Sequence, residues 1–291
     1  MYNYNDIEAV HLEITQKCQA ACPMCDRNEN GGKDNKHITN AELSIDDCEN
    51  IFQPEFIQQL KNMYMCGNLG DPVIAEDTLE VFEYFREYNP TIWLNMHTNG
   101  GAKKPEWWER LAKVIGNHGD VTFSIDGLED THALYRVGTD YNNIIKNARA
   151  FIGGGGYAIW QFIIFKHNQH QVYKAKQLAQ QYGFGGFKPL RSTRFNYQKI
   201  VQPSGLEYLL EPSDIRPETE DDPTHMTTGL DSRETKIECA SMKESTVYIY
   251  PDGTVWPCTF LGGIHLFQAR SLHNAIDWSI IKKHVVTQFG E

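Results

Sequence analysis

The sequence predicts an α/β fold of repeated β-α units around a parallel sheet, followed by a small C-terminal module, and three observations predict it. Short β-rich runs alternate with helical patterns from residue 7 to about residue 194, the signature of parallel strands with helices crossing between them. The length of 291 residues and the 41% hydrophobic content suit one large α/β domain plus a small appendix. Near the C-terminus, runs at 246–250 and 254–257 flank Pro251-Asp252-Gly253, a plain β-hairpin signal.

A first strand at 9–15 leads into a loop with three cysteines, and residues 26–47, polar and rich in Asn, Gly and Lys, extend that loop. Long loops beside a site are often lids. A helix at 51–61 precedes a second strand at 63–66, and a helix at 78–88 precedes a third at 92–97. A helix at 106–116 leads to a fourth strand at 121–125, and a helix at 142–152 to a fifth at 158–165. The glycine run at 153–156 is a turn into that fifth strand; with no helix after it, it is not a phosphate loop. A helix at 169–182 carries Val172, Ala175, Leu178, Ala179 and Tyr182 as a stripe of 3.6-residue period, and a sixth strand at 187–191 follows. From about residue 203 to 238 the chain is acidic and breaker-rich, as in Glu218-Thr219-Glu220-Asp221-Asp222-Pro223. The expected organisation is a main domain over 1–200, a connector over 201–236 and a C-terminal module over 237–291. No internal repeat is visible beyond the β-α alternation.

Composition narrows the setting. The first residues carry neither a basic nor an apolar region of a secretory signal, so no export is expected. The most apolar stretch, 157–165, contains Gln161 and is too short to cross a bilayer, so no membrane partner is expected. Seven cysteines, an odd number, fit the reducing cytoplasm better than a disulfide framework. The formal charge of −11 disfavours nucleic acid, although Lys188, Arg191 and Arg194 form a local basic group suited to an anion.

Cys18, Cys22 and Cys25 form a C-x3-C-x2-C array directly after the first strand. Three thiolates from one short loop cannot close a four-ligand site, so an iron-sulfur cluster held this way keeps one iron open to another ligand. A structural zinc site wants a fourth nearby Cys or His, and His37 and Cys48 lie at no zinc spacing.

On these residues the chain resembles the radical S-adenosylmethionine (radical SAM) enzymes with a short C-terminal extension of the SPASM or Twitch type, over nearly its whole length. The resemblance implies a partial (β/α)6 TIM-type barrel with a small hairpin-containing tail. It implies a [4Fe-4S] cluster on Cys18, Cys22 and Cys25 whose fourth iron is chelated by the amino and carboxylate groups of S-adenosylmethionine. An electron from a reductase, flavodoxin or ferredoxin would then break a sulfonium carbon-sulfur bond, and the 5′-deoxyadenosyl radical would abstract a substrate hydrogen.

Further segments are similar to that family. Gly67-Asn68-Leu69-Gly70-Asp71-Pro72 stands where the family has a Gly-Gly-Glu-Pro type segment that meets the methionine amino group. Glycines let the backbone approach a ligand and a neighbouring acid favours an ammonium. This chain departs from the pattern with Asp71 for Glu and the inserted Asn68-Leu69, and a simple strand-to-helix turn is the other reading. Thr98-Asn99-Gly100 and Ser124-Ile125-Asp126-Gly127 resemble segments that touch the nucleoside and methionine parts, and Asn99, Ser124 and Asp126 are the cofactor candidates there. Turn chemistry alone also explains Asn-Gly and Asp-Gly. His132, Arg136 and Gly138 resemble a His/Asp-x3-Arg-x-Gly segment whose arginine supports carboxylates; a solvated helix-face arginine is the alternative. Gln161, polar within an apolar strand, is a ligand contact or a satisfied core amide. Cys66, beside the proposed SAM segment, is a candidate hydrogen donor or a buried small thiol.

The tail carries Cys239, Gly253 and Cys258 at the spacing that opens SPASM and Twitch modules, which implies an auxiliary iron-sulfur cluster. Residues 261–291 contain no cysteine, so His265, His273, His284, Cys48 or Cys66 would have to complete it, or the module has lost it. The resemblance implies radical modification of a peptide or protein side chain as the first reading. Oxidation of a small-molecule carbinol is the second, and a non-catalytic iron-sulfur carrier or scaffold the third. With the first strand within ten residues of Met1, a separate protein is expected to present any leader peptide.

Overall fold

The computed structural model describes residues 4–28, 32, 34–192, 198–201, 205–215, 240–256 and 258. In chain order the elements are β1 (Ala9–Leu12), α1 (Ile45–Ile51), α2 (Pro54–Gln59), β2 (Asn62–Met65), α3 (Thr78–Tyr88), β3 (Trp93–Thr98), α4 (Pro105–Ile115) and β4 (Gly119–Ser124). There follow α5 (His132–Tyr135), α6 (Tyr141–Gly153), β5 (Ala158–Ile164), α7 (Val172–Tyr182), β6 (Gly186–Arg191), β7 (Gln198–Val201), β8 (Glu207–Leu210), α8 (Ala240–Lys243), β9 (Thr246–Ile249) and β10 (Val255–Trp256). The fold is mixed α/β. Hydrogen bonding orders the main sheet β10-β9-β1-β2-β3-β4-β5-β6, mostly parallel, and β7 and β8 form a separate two-stranded sheet. The order does not close on itself, so the described residues form no complete barrel.

The chain divides into two compact units. The first contains Met1–Lys17, Lys36–Asn95 and Glu238–Glu291. In it β1 pairs in parallel with β2 on one side (Ala9 with Asn62, Leu12 with Met65) and with β9 on the other (Ala9 with Thr246, Leu12 with Ile249). The expected C-terminal hairpin forms, with β9 and β10 antiparallel, and β9 brings it into the sheet. Alternation along each strand buries Val10, Leu12, Met63, Met65, Val247 and Ile249 on one face. Ala9, His11, Asn62, Tyr64, Thr246 and Tyr248 share the other.

One helix differs from expectation. The sequence predicts a single helix at 51–61, whereas two short helices form. Ser44 and Asp47 make a reciprocal capping box that starts α1 early, and Pro54, which lacks an amide donor, opens α2. Phe52 then packs against Phe85 of α3, ring centroids 4.9 Å apart, and the buried Asn89 after α3 donates to the Ile57 and Leu60 carbonyls at 2.9 and 2.8 Å.

The second unit contains Cys18–Asn35 and Met96–Ile237. Here β4, β5 and β6 are parallel neighbours, and α4 packs on α6. Gly154 permits that approach, since a Cβ there would lie 2.9 Å from both the Ala112 Cβ and the Glu109 carbonyl oxygen. The fully buried Trp160 donates to the Ile125 carbonyl at 2.8 Å, which secures the end of β4. Within the stretch expected as connector, β8 pairs with β7 and buries Leu210 against the same cluster as Ile200, Tyr135 and Phe165.

Asn147 of α6 organises the loop after β3. It is fully buried and donates to the Gly100 and Ala102 carbonyls at 2.8 and 3.1 Å. Replacing it with alanine removes the side-chain donor to the buried Gly100 carbonyl, while the Ala102 carbonyl keeps Trp108 Nε1 at 3.1 Å, so Asn147→Ala is expected to lower unfolding free energy by about 1–2 kcal/mol. Urea denaturation checks this, and an unchanged midpoint contradicts it.

Candidate active site

In the second unit, the cysteine loop is folded by its own backbone. The Cys25 amide donates to the Cys22 carbonyl at 3.0 Å and the Asn28 amide to the Cys25 carbonyl at 2.9 Å, so the C-x2-C stretch turns tightly. The Ala21 amide donates to the Val137 carbonyl at 2.8 Å, which ties the loop to the segment after α5. Gly138 belongs to that contact. Its φ is 86°, and a Cβ there would lie 2.7 Å from the Gln19 carbonyl oxygen.

None of the three is in a disulfide; Cys22 is buried and the other two are half-buried. Cys18 Sγ receives the Ala20 amide at 3.4 Å and the Asn99 side-chain amide at 3.8 Å. Asn99 is held in turn by Gln19 Nε2 at 2.7 Å and by the Gly101 amide, 2.8 Å from the same Oδ1. Arg136 Nη1 lies 3.7 Å from Cys22 Sγ, and its Nε donates to Asp126 Oδ2 at 2.5 Å. Asp126 is fully buried and its other oxygen accepts from the Ile163 amide. Burial pulls the Arg136 guanidinium down, but Asp126 and Cys22 more than offset this and keep it charged.

Burial pushes the Cys22 thiol up to about 11, with Arg136 opposing. A metal must therefore displace a held proton there. Among the described residues no three His, Cys, Asp or Glu side chains are gathered as a single-ion site. A cluster makes a different demand, because each thiolate binds its own iron. The donor set fits a cluster: three cysteines from one loop, none in a disulfide, with cationic and amide donors directed at two of the sulfurs.

Ser124 is buried at the end of β4, level with the half-buried Gln161 on β5. His132, also buried, bonds Thr139 Oγ1 through Nε2 at 2.9 Å; burial lowers its pKa to about 3, so it stays neutral.

The first unit places the Gly67–Pro72 segment directly after β2. Its glycines meet the chain's own backbone: a Cβ on Gly70 would lie 1.9 Å from the Thr15 carbonyl oxygen, and one on Gly67 2.3 Å from that of Gly70. The turn leaves no room for a side chain at either glycine. Asp71 is buried, its amide donates to the Lys17 carbonyl at 3.0 Å, and its carboxylate accepts from the Val73 amide at 3.2 Å, capping the 3-10 turn Pro72–Ile74. Cys66 is half-buried and its carbonyl receives His11 Nε2 at 2.9 Å.

The sequence reading missed Glu13. It is 1% exposed, and its carboxylate accepts the Asn68 backbone amide at 2.9 Å and the Asn68 side-chain amide at 2.5 Å. Asn68 also donates to the Tyr250 hydroxyl at 3.3 Å. The inserted Asn68 is thus anchored to the residue after β1 and to the residue after β9. A lone acid in the apolar run Val10-His11-Leu12-Glu13-Ile14 was the available signal.

The tail is described only in part. Cys258 is free and half-buried, whereas Cys239, His265, His273, His284 and Arg194 lie outside the described residues. Cys48 is fully buried in α1, its thiol pushed up to about 12 by burial, as suits a core residue.

No protein-family model and no curated protein matches the sequence. Solved structures do match. Streptococcus suis SuiB bound to S-adenosylmethionine is 16% identical, with a TM-score of 0.59 over 87% of this chain and 60% of its own. The chain shares that fold. SuiB bound to precursor peptide SuiA matches with the same identity and TM-score over 88% and 60%. anSMEcpe with bound AdoMet is 17% identical, with a TM-score of 0.50 over 66% of this chain and 53% of its own. The chain therefore spans 60% of the length of SuiB and about half that of anSMEcpe. No helix among the described residues is long and apolar enough to cross a membrane.

Glu13 generates a pH dependence. Burial pushes its carboxyl from 4.5 up to about 8, and the Asn68, Tyr250 and Leu69 donors oppose this without cancelling it. Between these values the unfolded chain releases a proton that the folded chain keeps, so stability is lost as pH rises from 4.5 to about 8. Glu13→Gln is expected to flatten this slope in urea unfolding between those pH values. An unchanged slope contradicts the assignment.

Proposed function

We propose that the chain is a radical SAM enzyme that acts on a peptide or protein side chain. The observation that carries this reading is the loop of three cysteines after β1, none in a disulfide, in a fold shared with SuiB bound to S-adenosylmethionine. Cys18, Cys22 and Cys25 hold a [4Fe-4S] cluster. When bound, such a cluster supplies the electron that cleaves S-adenosylmethionine to a 5′-deoxyadenosyl radical, which takes a hydrogen atom from substrate.

The chain's own residues supply position and charge. Arg136 offsets thiolate charge at Cys22 and is oriented by Asp126, while Asn99 and the Ala20 amide do the same at Cys18. Asn68, Gly70, Asp71 and Pro72 shape the turn assigned to the methionine end, with Glu13 holding Asn68 in place. Ser124 and Gln161 line the same stage of the neighbouring strands and contribute polar contacts to the cofactor. A peptide substrate is favoured over a small carbinol because SuiB is also known bound to a precursor peptide. A reductase, flavodoxin or ferredoxin supplies the electron.

The test is reductive SAM cleavage by anaerobically reconstituted protein. Wild type is expected to yield 5′-deoxyadenosine with dithionite, and the variant with Cys18, Cys22 and Cys25 all replaced by alanine to yield none. Product from the triple variant would sink the reading.

Residues 237–291 are read as a Twitch-like module whose Cys239 and Cys258 begin an auxiliary cluster. The wild type is then expected to carry more iron than the Cys239→Ala/Cys258→Ala variant. Iron and sulfide analysis decides it, since about four irons per chain in both proteins means that the module holds no cluster.

A further inference from the structure

The first unit contains a cavity that the proposed chemistry does not use. Its volume is about 560 Å³, and it is lined by the starting residues of β1, β2 and β9 with Asn95 of β3. Small-molecule sites have this size. Its far wall, at His11 and Tyr64, reaches the Cys66 carbonyl, but none of its lining residues belongs to the Gly67–Pro72 turn or to the cysteine loop.

The lining is rich in acceptors. Asn62 Oδ1 is buried and has no hydrogen-bond partner among the described residues. His11 lies between the rings of Tyr64 and Tyr248, each centroid 4.8 Å away, and its Nε2 meets the Cys66 carbonyl at 2.9 Å. A carbonyl only accepts, so Nε2 carries the proton. Burial lowers the His11 pKa to about 4, which keeps the ring neutral and leaves Nδ1 as a bare acceptor. At the mouth, Lys61 is paired with Glu8 at 2.7 Å, whereas the exposed Glu244 has no ion pair among the described residues.

Bare acceptors, aromatic walls and one unbalanced carboxylate repel anions and reward a ligand that brings both N–H donors and positive charge. We infer that this cavity binds a small alkylammonium compound, with its N–H donors on Asn62 Oδ1 and His11 Nδ1 and its charge beside Tyr64, Tyr248 and Glu244. The site is independent of the iron-sulfur reading.

Putrescine titrated into the full-length protein, by calorimetry and by the NMR shifts of the His11 ring, tests the inference. Saturable binding that moves the His11 signals is expected. Asn62→Ala should weaken it about tenfold, the loss of a hydrogen bond to a charged group. Glu244→Gln alters only an exposed side chain, so it should weaken binding by about threefold without touching the fold. The neutral isostere 1,4-butanediol should not compete. Putrescine binding weaker than about 10 mM, equal affinity for butanediol, or unchanged affinity in both variants overturns the inference.

Discussion

The ion pair between Asp126 and Arg136 is the interaction on which the cysteine loop's surroundings depend. Asp126 is fully buried at the end of β4 and accepts from Arg136 on one oxygen and from the Ile163 amide on the other. A buried carboxylate without its partner is strained by about 3–5 kcal/mol, so the pair commits the chain after β4 to return its arginine to this point. The short helix α5 performs that return. Once Arg136 is in place, Val137 receives the Ala21 amide and Gly138 fits against the Gln19 carbonyl, and the loop has a wall to fold upon.

That arrangement answers an electrostatic problem. A chain with a formal charge of −11 places three cysteines on one loop, where burial already raises the Cys22 thiol to about 11 and so disfavours its thiolate. Bulk charge disfavours it too, so the remedy is local: a guanidinium at one sulfur, and a backbone and a side-chain amide at another. The guanidinium stays ionised because Asp126 lies against it. Charge compensation thus passes from β4 through Arg136 to the loop, and each link is a hydrogen bond with a defined direction.

The first unit secures its turn by other means. Gly70 packs on the Thr15 carbonyl where no side chain fits, and Glu13 grips Asn68 by backbone and side chain together. Burying Glu13 is unfavourable to its charged form, and the donors around it recover only part of that cost. The strand β9 shares in the result, since Tyr250 follows it and meets Asn68. The C-terminal hairpin therefore supports the turn after β2 as well as extending the sheet.

Much of this was legible in the sequence. The helix expected at 78–88 forms as Thr78–Tyr88, and the expected strands form within a few residues of their places, because periodicity and capping act over a few residues of chain. The division of the expected helix at 51–61 by Pro54 and the Ser44 capping box is equally local. So is the C-x3-C-x2-C spacing, which limits the chemistry by itself. The partners of those cysteines are another matter. Arg136 reaches Cys22 across 114 residues, Asn99 reaches Cys18 across 81, and Asn68 meets Tyr250 across 182. Gly67 and Gly70 pack closely on the chain's own backbone, which no local pattern foretells, and a glutamate hidden in an apolar run holds a turn. Local rules name the residues capable of chemistry, but which of them meet depends on strand pairing and burial, and those are properties of the assembled sheet rather than of any segment.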